Sequence, residues 1–484
     1  MAAHQRTRIV CTIGPASDNE ETLRGMILAG MNVARLNMSH GTHEGHLATM
    51  KRVRKAAGRC TQPVAILVDT KGPEIRTGLL AGHAPVMLRE GSEVVLSTDM
   101  SEEGTAERFP VNYAGLPQDV TEGAIMSIDD GAIALRVLSS DAGAGEIRCL
   151  VTDGGMLGER KGVNLPGVET SLPSITDQDR EDIRFACENS ADALAVSFVR
   201  DAGTIRQVKE LCRRCGRPDM VVFAKLESAM GLSNLEEIVD VSDGIMIARG
   251  DLGVEIDPAE LPYEQKRIIM TSRFTYKPTI TATQMLESMT HNPKPTRAEV
   301  TDVANAIYDG TDCVMLSGET AAGEYPVETV QMMASICRNT EKHLEEHHEY
   351  HERGGLGNVN GAIGFAAVET AKRIGAVAIL CPTRTGRSAR LMSALRNRIP
   401  LIAVAPNWPA VRRMSFYWGV EALKGEEKPE WHQTCENVMT IARDRGYVQV
   451  GDLVMITTGD PETTPYDDTG YVSSTNVCMV GQIR

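Results

Sequence analysis

The chain has 484 residues, enough for two to four domains around a large core, with 42% hydrophobic and 24% charged residues. Its 50 basic and 65 acidic residues leave a net charge of -15, which excludes the basic face of a nucleic-acid binder and requires any phosphate site to be built from local cations. With no run approaching 18 apolar residues, no signal peptide and 11 cysteines in no disulfide framework, the pattern predicts a cytoplasmic protein with reduced thiols.

In chain order, short apolar runs alternate with amphipathic stretches. "RIVCTIG" (8–14), "MNVARLN" (31–37) and "VAILVDT" (64–70) predict strands, with "EETLRGMILAG" as a helix between the first two. Their continuous apolar character suits parallel strands covered on both faces. About 120 residues then intervene, too many for a loop. Within 77–172, "APVMLREGSEVVLST", "GAIMSIDDGAIALRVL" and "GEIRCLVTDGG" alternate apolar and polar and turn at Gly or Asp-Gly. This predicts an inserted antiparallel domain, a small β-barrel placed as a lid. The strand pattern resumes in "ALAVSFV" (193–199), "VVFAKLE" (221–227), "GIMIARGD" (244–251), "PTITATQ" (278–284) and "CVMLSGE" (313–319), with "AGTIRQVKELCRRCG" as one of the helices. Eight units predict a (β/α)8 TIM barrel over 1–76 and 173–345, with reacting residues at the C-terminal strand ends. The following tract, "HLEEHHEYHERGGLGN", reads as a solvated helix end and linker; its four histidines lack ligand spacing, and its "GGLGN" follows no strand. From 346 to 484, "GAIGFAAVETAKRIG", "AVAILCP", "PLIAVAP" and "LVMITTG" predict an open α/β domain.

Two strand ends each carry a cation and a carboxylate at i, i+2: Lys225 with Glu227, and Arg249 with Asp251. That spacing predicts one shared face per strand, with Glu227 and Asp251 meeting over the barrel mouth as hard oxygen ligands of the kind Mg2+ uses. Salt bridges to Lys225 and Arg249 are the plainer alternative. In "VARLNMSHG" (33–41), Arg35, Asn37 and Ser39 share a face, and Asp69 and Thr70 end the next strand. Their oxygens suit a hard or monovalent cation, and Arg35 suits a phosphate. "DTKGPEIRTG" adds Lys71, Glu74 and Arg76, and "KGVNLPG" adds Lys161. Several cations on one rim of an acidic protein point to an anionic substrate.

These motifs, with "AKLES", "MIARGDLGVEI", "TATQMLESM", "NPKPTRAEVTDVANAIYDGTD" and "MLSGET", occur in an order that resembles the pyruvate kinase family as far as about residue 330. The C-terminal third is similar to that family's regulatory domain. The resemblance implies transfer of a phosphoryl group from phosphoenolpyruvate to ADP, giving pyruvate and ATP, with Mg2+ or Mn2+ and K+. It implies that Lys225 and Arg35 hold the phosphoryl group, that Glu227 and Asp251 bind the divalent metal, and that Gly250 offers its N–H to the substrate carboxylate. Thr283 would relay a proton to the methylene carbon, with Ser317 nearby. Asn37, Ser39, Asp69 and Thr70 resemble potassium ligands, Glu74 falls in the potassium-requiring pattern, and Asn37, His40, Arg76 and Lys161 resemble nucleotide contacts. The family also implies a homotetramer. "TRTGRSA" (383–389) resembles its effector-phosphate loop, with Thr383, Thr385, Gly386 and Ser388 as the cradle. The late stretch "GDPETTPYDDTGYVSSTN" (459–476) holds carboxylates but no Lys or Arg for a second phosphate.

Overall fold

The computed structural model describes residues 5–344, 359–428, 430–459 and 475–484. Most of the histidine-rich tract, its "GGLGN", and the acidic residues of the late stretch lie outside the described residues.

Eight parallel strands close into a barrel: β1 (Arg8–Thr12), β2 (Met31–Asn37), β3 (Ala65–Asp69), β4 (Ala193–Val196), β5 (Val221–Leu226), β6 (Gly244–Ala248), β7 (Thr279–Ala282) and β8 (Cys313–Leu316), with β8 pairing back onto β1. The runs are continuous because both faces are covered. Val10, Val33, Leu67, Phe223 and Met315 belong to one apolar cluster, and Ile9, Leu36, Ile66 and Ile247 to another that includes the surrounding helices. The Phe223 ring explains Gly244 on the next strand, where an added Cβ would lie 2.3 Å from the ring.

The strands are shorter than the apolar runs, and one consequence is a correction. β6 ends at Ala248, opposite Ala282, the last residue of β7. Thr283 then turns away with φ +67°, so the chain beyond Ala248 has no ladder to join and winds into a helix, Arg249–Glu255. Arg249 and Asp251 therefore do not share a strand face. Asp251 reaches the mouth from the first helical turn.

Between β3 and β4 the chain forms a six-stranded sheet curled around its own core of Leu96, Phe109, Leu135 and Val151, with a two-stranded ribbon, Val86–Leu88 against Gly155–Leu157. The pairing is antiparallel except between Glu93–Ser97 and Arg108–Pro110, which run parallel. One hairpin turns through Asp129, Asp130 and Gly131, all at positive φ. The C-terminal domain is a sheet of β9 (Ala378–Pro382), β10 (Leu401–Ala405), β11 (Val420–Lys424), β12 (Leu453–Thr458) and β13 (Val477–Gln482), in the order β11-β10-β9-β12-β13 with β13 antiparallel. It docks on the N-terminal end of the barrel. Phe416 packs on Phe223 with ring centroids 4.9 Å apart, Arg8 donates to the Tyr417 carbonyl at 2.9 Å, and Arg412 pairs with Asp192 at 2.7 Å. All eleven cysteines are free, including Cys212 and Cys215 of the one C-x-x-C. Among the described residues no helix is long and apolar enough to cross a membrane.

Candidate active site

The C-terminal ends of β2, β3 and β5 bring a compact ion cluster to the barrel mouth. Arg35 Nε donates to Asp69 Oδ2 at 2.6 Å, and its Nη1 donates to Thr12 Oγ1 at 2.9 Å. The Lys225 ammonium lies 3.1 Å from Asp69 Oδ1 and 2.8 Å from Glu227 Oε1, and donates to Ser197 Oγ at 2.7 Å. Ser197 in turn donates to the Thr70 carbonyl at 2.6 Å, and the Phe198 N–H donates to Glu227 Oε2 at 2.5 Å. Burial pulls the Lys225 ammonium down, but Asp69 and Glu227 outweigh it and hold its pKa above the ordinary value. Asp69 is likewise pushed up by burial and pulled down further by Arg35 and Lys225, so it stays ionised. Burial raises Glu227 to about 7 and also raises Asp251, against the pull of Lys225. The two partners of the Lys225–Glu227 pair thus point opposite ways. Burial acts on both partners, lowering Lys225 and raising Glu227, and the neighbouring charges reverse its effect only at Lys225. The Asp251 carboxylate has no hydrogen-bond partner among the described residues.

The ends of β6, β7 and β8 supply a second group. Thr283 holds the left-handed backbone that a β-branched residue adopts only under constraint. The constraint is visible. Arg249 donates to the Thr283 carbonyl at 2.7 Å and to the Ala282 carbonyl at 3.2 Å, anchored by Asp302 at 2.7 Å. The Gly250 N–H donates to Thr283 Oγ1 at 2.8 Å. Buried Glu319 accepts from the Ser317 N–H at 2.6 Å and the Leu286 N–H at 3.1 Å, tying the end of β8 to the loop after β7.

Beside the ion cluster, a cavity of about 660 Å3 separates barrel from lid, with Arg76, Lys161, Asp129, Asp130 and Asp251 in its wall. Arg76 pairs with Glu74 at 2.7 Å and Lys161 with Asp129 at 2.9 Å, so both cations are held by exchangeable partners. Asn37 and His40 lie outside that wall; Asn37 Oδ1 accepts from the Ser39 N–H at 3.2 Å, and His40 is exposed. In the C-terminal domain, Thr383, Thr385 and Ser388 line a separate pocket of about 150 Å3 together with Arg384, Arg387 and Lys428. Gly386, at φ +84°, caps the helix Arg387–Ala394 there, and its N–H donates to Thr383 Oγ1 at 3.0 Å.

The pyruvate kinase barrel-domain family model matches residues 4–330, and the pyruvate kinase alpha/beta-domain model matches residues 361–480. The chain belongs to the pyruvate kinase family. Pyruvate kinase from Geobacillus stearothermophilus is 45% identical over 98% of this chain and 80% of its own length, and that from Staphylococcus aureus is 44% identical over 99% and 81%. A crystal structure of a pyruvate kinase from Cryptosporidium parvum superposes with a TM-score of 0.88 at 36% identity, covering 99% of this chain and 96% of that one. The function is that of a pyruvate kinase, a phosphotransferase, and the family carries a divalent-metal requirement. Three residues of this pyruvate kinase fold carry no clear signal in the sequence. Ser197 and Glu319 sit in "ALAVSFV" and "MLSGET", where the apolar pattern hides them. Arg249, expected beside Asp251 on one strand face, instead clamps Thr283.

Proposed function

We propose the following division of labour for phosphoryl transfer from phosphoenolpyruvate to ADP. The bond from phosphorus to the enol oxygen breaks, a bond to a terminal ADP oxygen forms, and the enolate takes a proton at its methylene carbon to become pyruvate. Lys225 and Arg35 hold the transferring group and offset its charge, the main source of acceleration where little covalent chemistry falls to the protein. Asp69 and Ser197 hold the Lys225 ammonium at the barrel mouth. Gly250 would face the substrate carboxylate by giving up its N–H bond to Thr283 Oγ1, and Thr283 would lie beside the methylene carbon, with Ser317 nearby for proton delivery.

Glu227 and Asp251 suit Mg2+ or Mn2+. They are hard oxygen donors beside a buried cluster of carboxylates and cations. That matches an ion that takes one or two carboxylates and shares its remaining positions with substrate and water. Such an ion supplies charge neutralisation at phosphate and enolate oxygens. Asn37 and Asp69 are partners in the β2–β3 register, and with Ser39 and Thr70 they would supply the oxygens for K+. Arg76 and Lys161 bind the nucleotide phosphates, with Asn37 and His40 at the rim. A homotetramer and a phosphorylated activator at Thr383, Thr385, Gly386 and Ser388 complete the reading.

The observation that carries this proposal is the Lys225 ammonium, 11% exposed and held by three oxygens beside the cavity. Lys225→Met keeps the stem and removes the charge. Turnover should fall by a factor of about 10² to 10³, with a much smaller change in phosphoenolpyruvate binding. Near-normal turnover in a coupled pyruvate assay would remove Lys225 from the role.

A further inference from the structure

At the N-terminal end of the barrel, opposite the active site, the approaches to β7 and β8 face helix Arg387–Ala394 of the C-terminal domain. A small cavity of about 10 Å3 lies between them, lined by Arg273 and Lys277 from the barrel and by Arg390 and Arg396 from the C-terminal domain. One carboxylate, Asp312, also lines it, and it is bound to Arg396 Nη1 at 2.9 Å. Asp243, which acts on Lys277 through space, is paired with Lys209 at 3.0 Å. The cavity wall is therefore strongly cationic.

Its donors are not all used. The Arg396 side chain is 2% exposed; its Nη groups reach Asp312 and the Gly310 carbonyl, but its Nε has no partner. Arg390 Nε is likewise buried without a partner. Lys277 Nζ donates to the carbonyls of Ser242 at 2.7 Å and Asp240 at 3.3 Å, while the carboxylates of Asp243 and Asp240 act on it only through space. Burial, reinforced by Arg390, pulls Lys277 down to about 8. Buried donors without acceptors are costly, as are half-buried cations whose counter-charges act only through space. A single water could accept from one or two of these groups, but it brings no charge, and it needs acceptors for its own two protons where donors predominate. The volume admits a single small species, a water or a monatomic ion, which excludes phosphates and organic acids.

We propose that this cavity is a binding site for a monatomic anion, a halide, held by Lys277, Arg390 and Arg396 at the junction of the barrel and the C-terminal domain. The ion joins two elements at their far ends. β7 begins just after Lys277 and leads to Thr283, and the helix carrying Arg390 begins at the loop of Thr383, Thr385 and Gly386. It is thus a structural counter-ion on the route between the phosphate-loop pocket and the barrel mouth.

The test uses crystals of the full chain grown with bromide in place of chloride. An anomalous peak is expected within hydrogen-bond reach of Lys277 Nζ and the two arginines. In solution, chloride should raise the thermal unfolding midpoint relative to gluconate at equal ionic strength, and Lys277→Met or Arg390→Met should abolish that difference. If a variant fails to fold, the bromide map of the unaltered chain still decides. A cavity without an anomalous peak, holding only water, overturns the proposal. So does a chloride effect that persists unchanged in both variants.

Discussion

At the scale of single residues, the barrel mouth is short of positive charge, and this gives the metal requirement a sign in pH. Burial raises Glu227 to about 7, so in the metal-free protein a proton competes for the ligand. On the proposed assignment, a divalent ion would bind the ionised form and release that proton. The Mg2+ concentration for half activity should therefore fall as pH rises, about tenfold per pH unit below pH 7, and level off above it. Glu227→Gln should raise the requirement and remove this slope; a pH-independent requirement in the parent enzyme would refute the assignment. Glu74 bears on the monovalent ion in the same way. It pairs with Arg76 at 2.7 Å, four residues beyond Thr70 in the chain. Glu74→Lys should relieve part of the loss seen when K+ is replaced by a bulky organic cation, because a tethered ammonium supplies the missing charge. Full activity of the unaltered enzyme without any monovalent metal ion would leave the substitution nothing to relieve.

Elements decide which side chains those charges can reach. The turn after β3 is an example: Gly72 has φ +76°, and an added Cβ would lie 2.7 Å from both Ser197 and Phe198. Those two residues hold Lys225 and Glu227, through the Ser197 hydroxyl and the Phe198 N–H. Gly72→Ala should cost roughly 1–3 kcal/mol of stability and lower turnover together, since both neighbours must move. Denaturant titration and a kinetic assay check the pair; an active, equally stable variant would contradict it. The barrel itself was legible from the continuous apolar runs, because strands buried on both faces leave that signature. Lys225 and Glu227 were legible from i, i+2 spacing at a strand end. Asp251 was not placed correctly by the same rule, because the end of β6 depends on where β7 stops, which is a property of two strands together. Arg249 and Ser197 were illegible for a related reason: their partners, the Thr283 carbonyl and the Lys225 ammonium, lie 34 and 28 residues away in sequence.

At the scale of the whole molecule, the C-terminal pocket and the active site lie at opposite ends of the barrel, and charge balance determines which ligand the pocket suits. Arg384 pairs with Glu427 at 2.5 Å and Lys428 with Glu426 at 2.7 Å, leaving Arg387 as the uncompensated cation in the wall among the described residues. Arg412 and Arg413, two further cations of the domain, each have a carboxylate partner. Arg412 pairs with Asp192, and Arg413 donates to the Thr385 carbonyl at 3.5 Å while lying 3.7 Å from Asp219. The acidic late stretch adds no Lys or Arg. One phosphate at the hydroxyls of Thr383, Thr385 and Ser388, over the helix N-terminus, is matched by this arrangement; a second is not. Activation by a sugar monophosphate or AMP is therefore expected in preference to fructose 1,6-bisphosphate. The measurement is a titration of each compound at subsaturating phosphoenolpyruvate, alongside Thr385→Glu, whose carboxylate should repel the phosphate and abolish the response while leaving unactivated turnover unchanged. Strong activation selective for the bisphosphate would overturn the charge argument. An unaltered response in Thr385→Glu would move the effector to a different site.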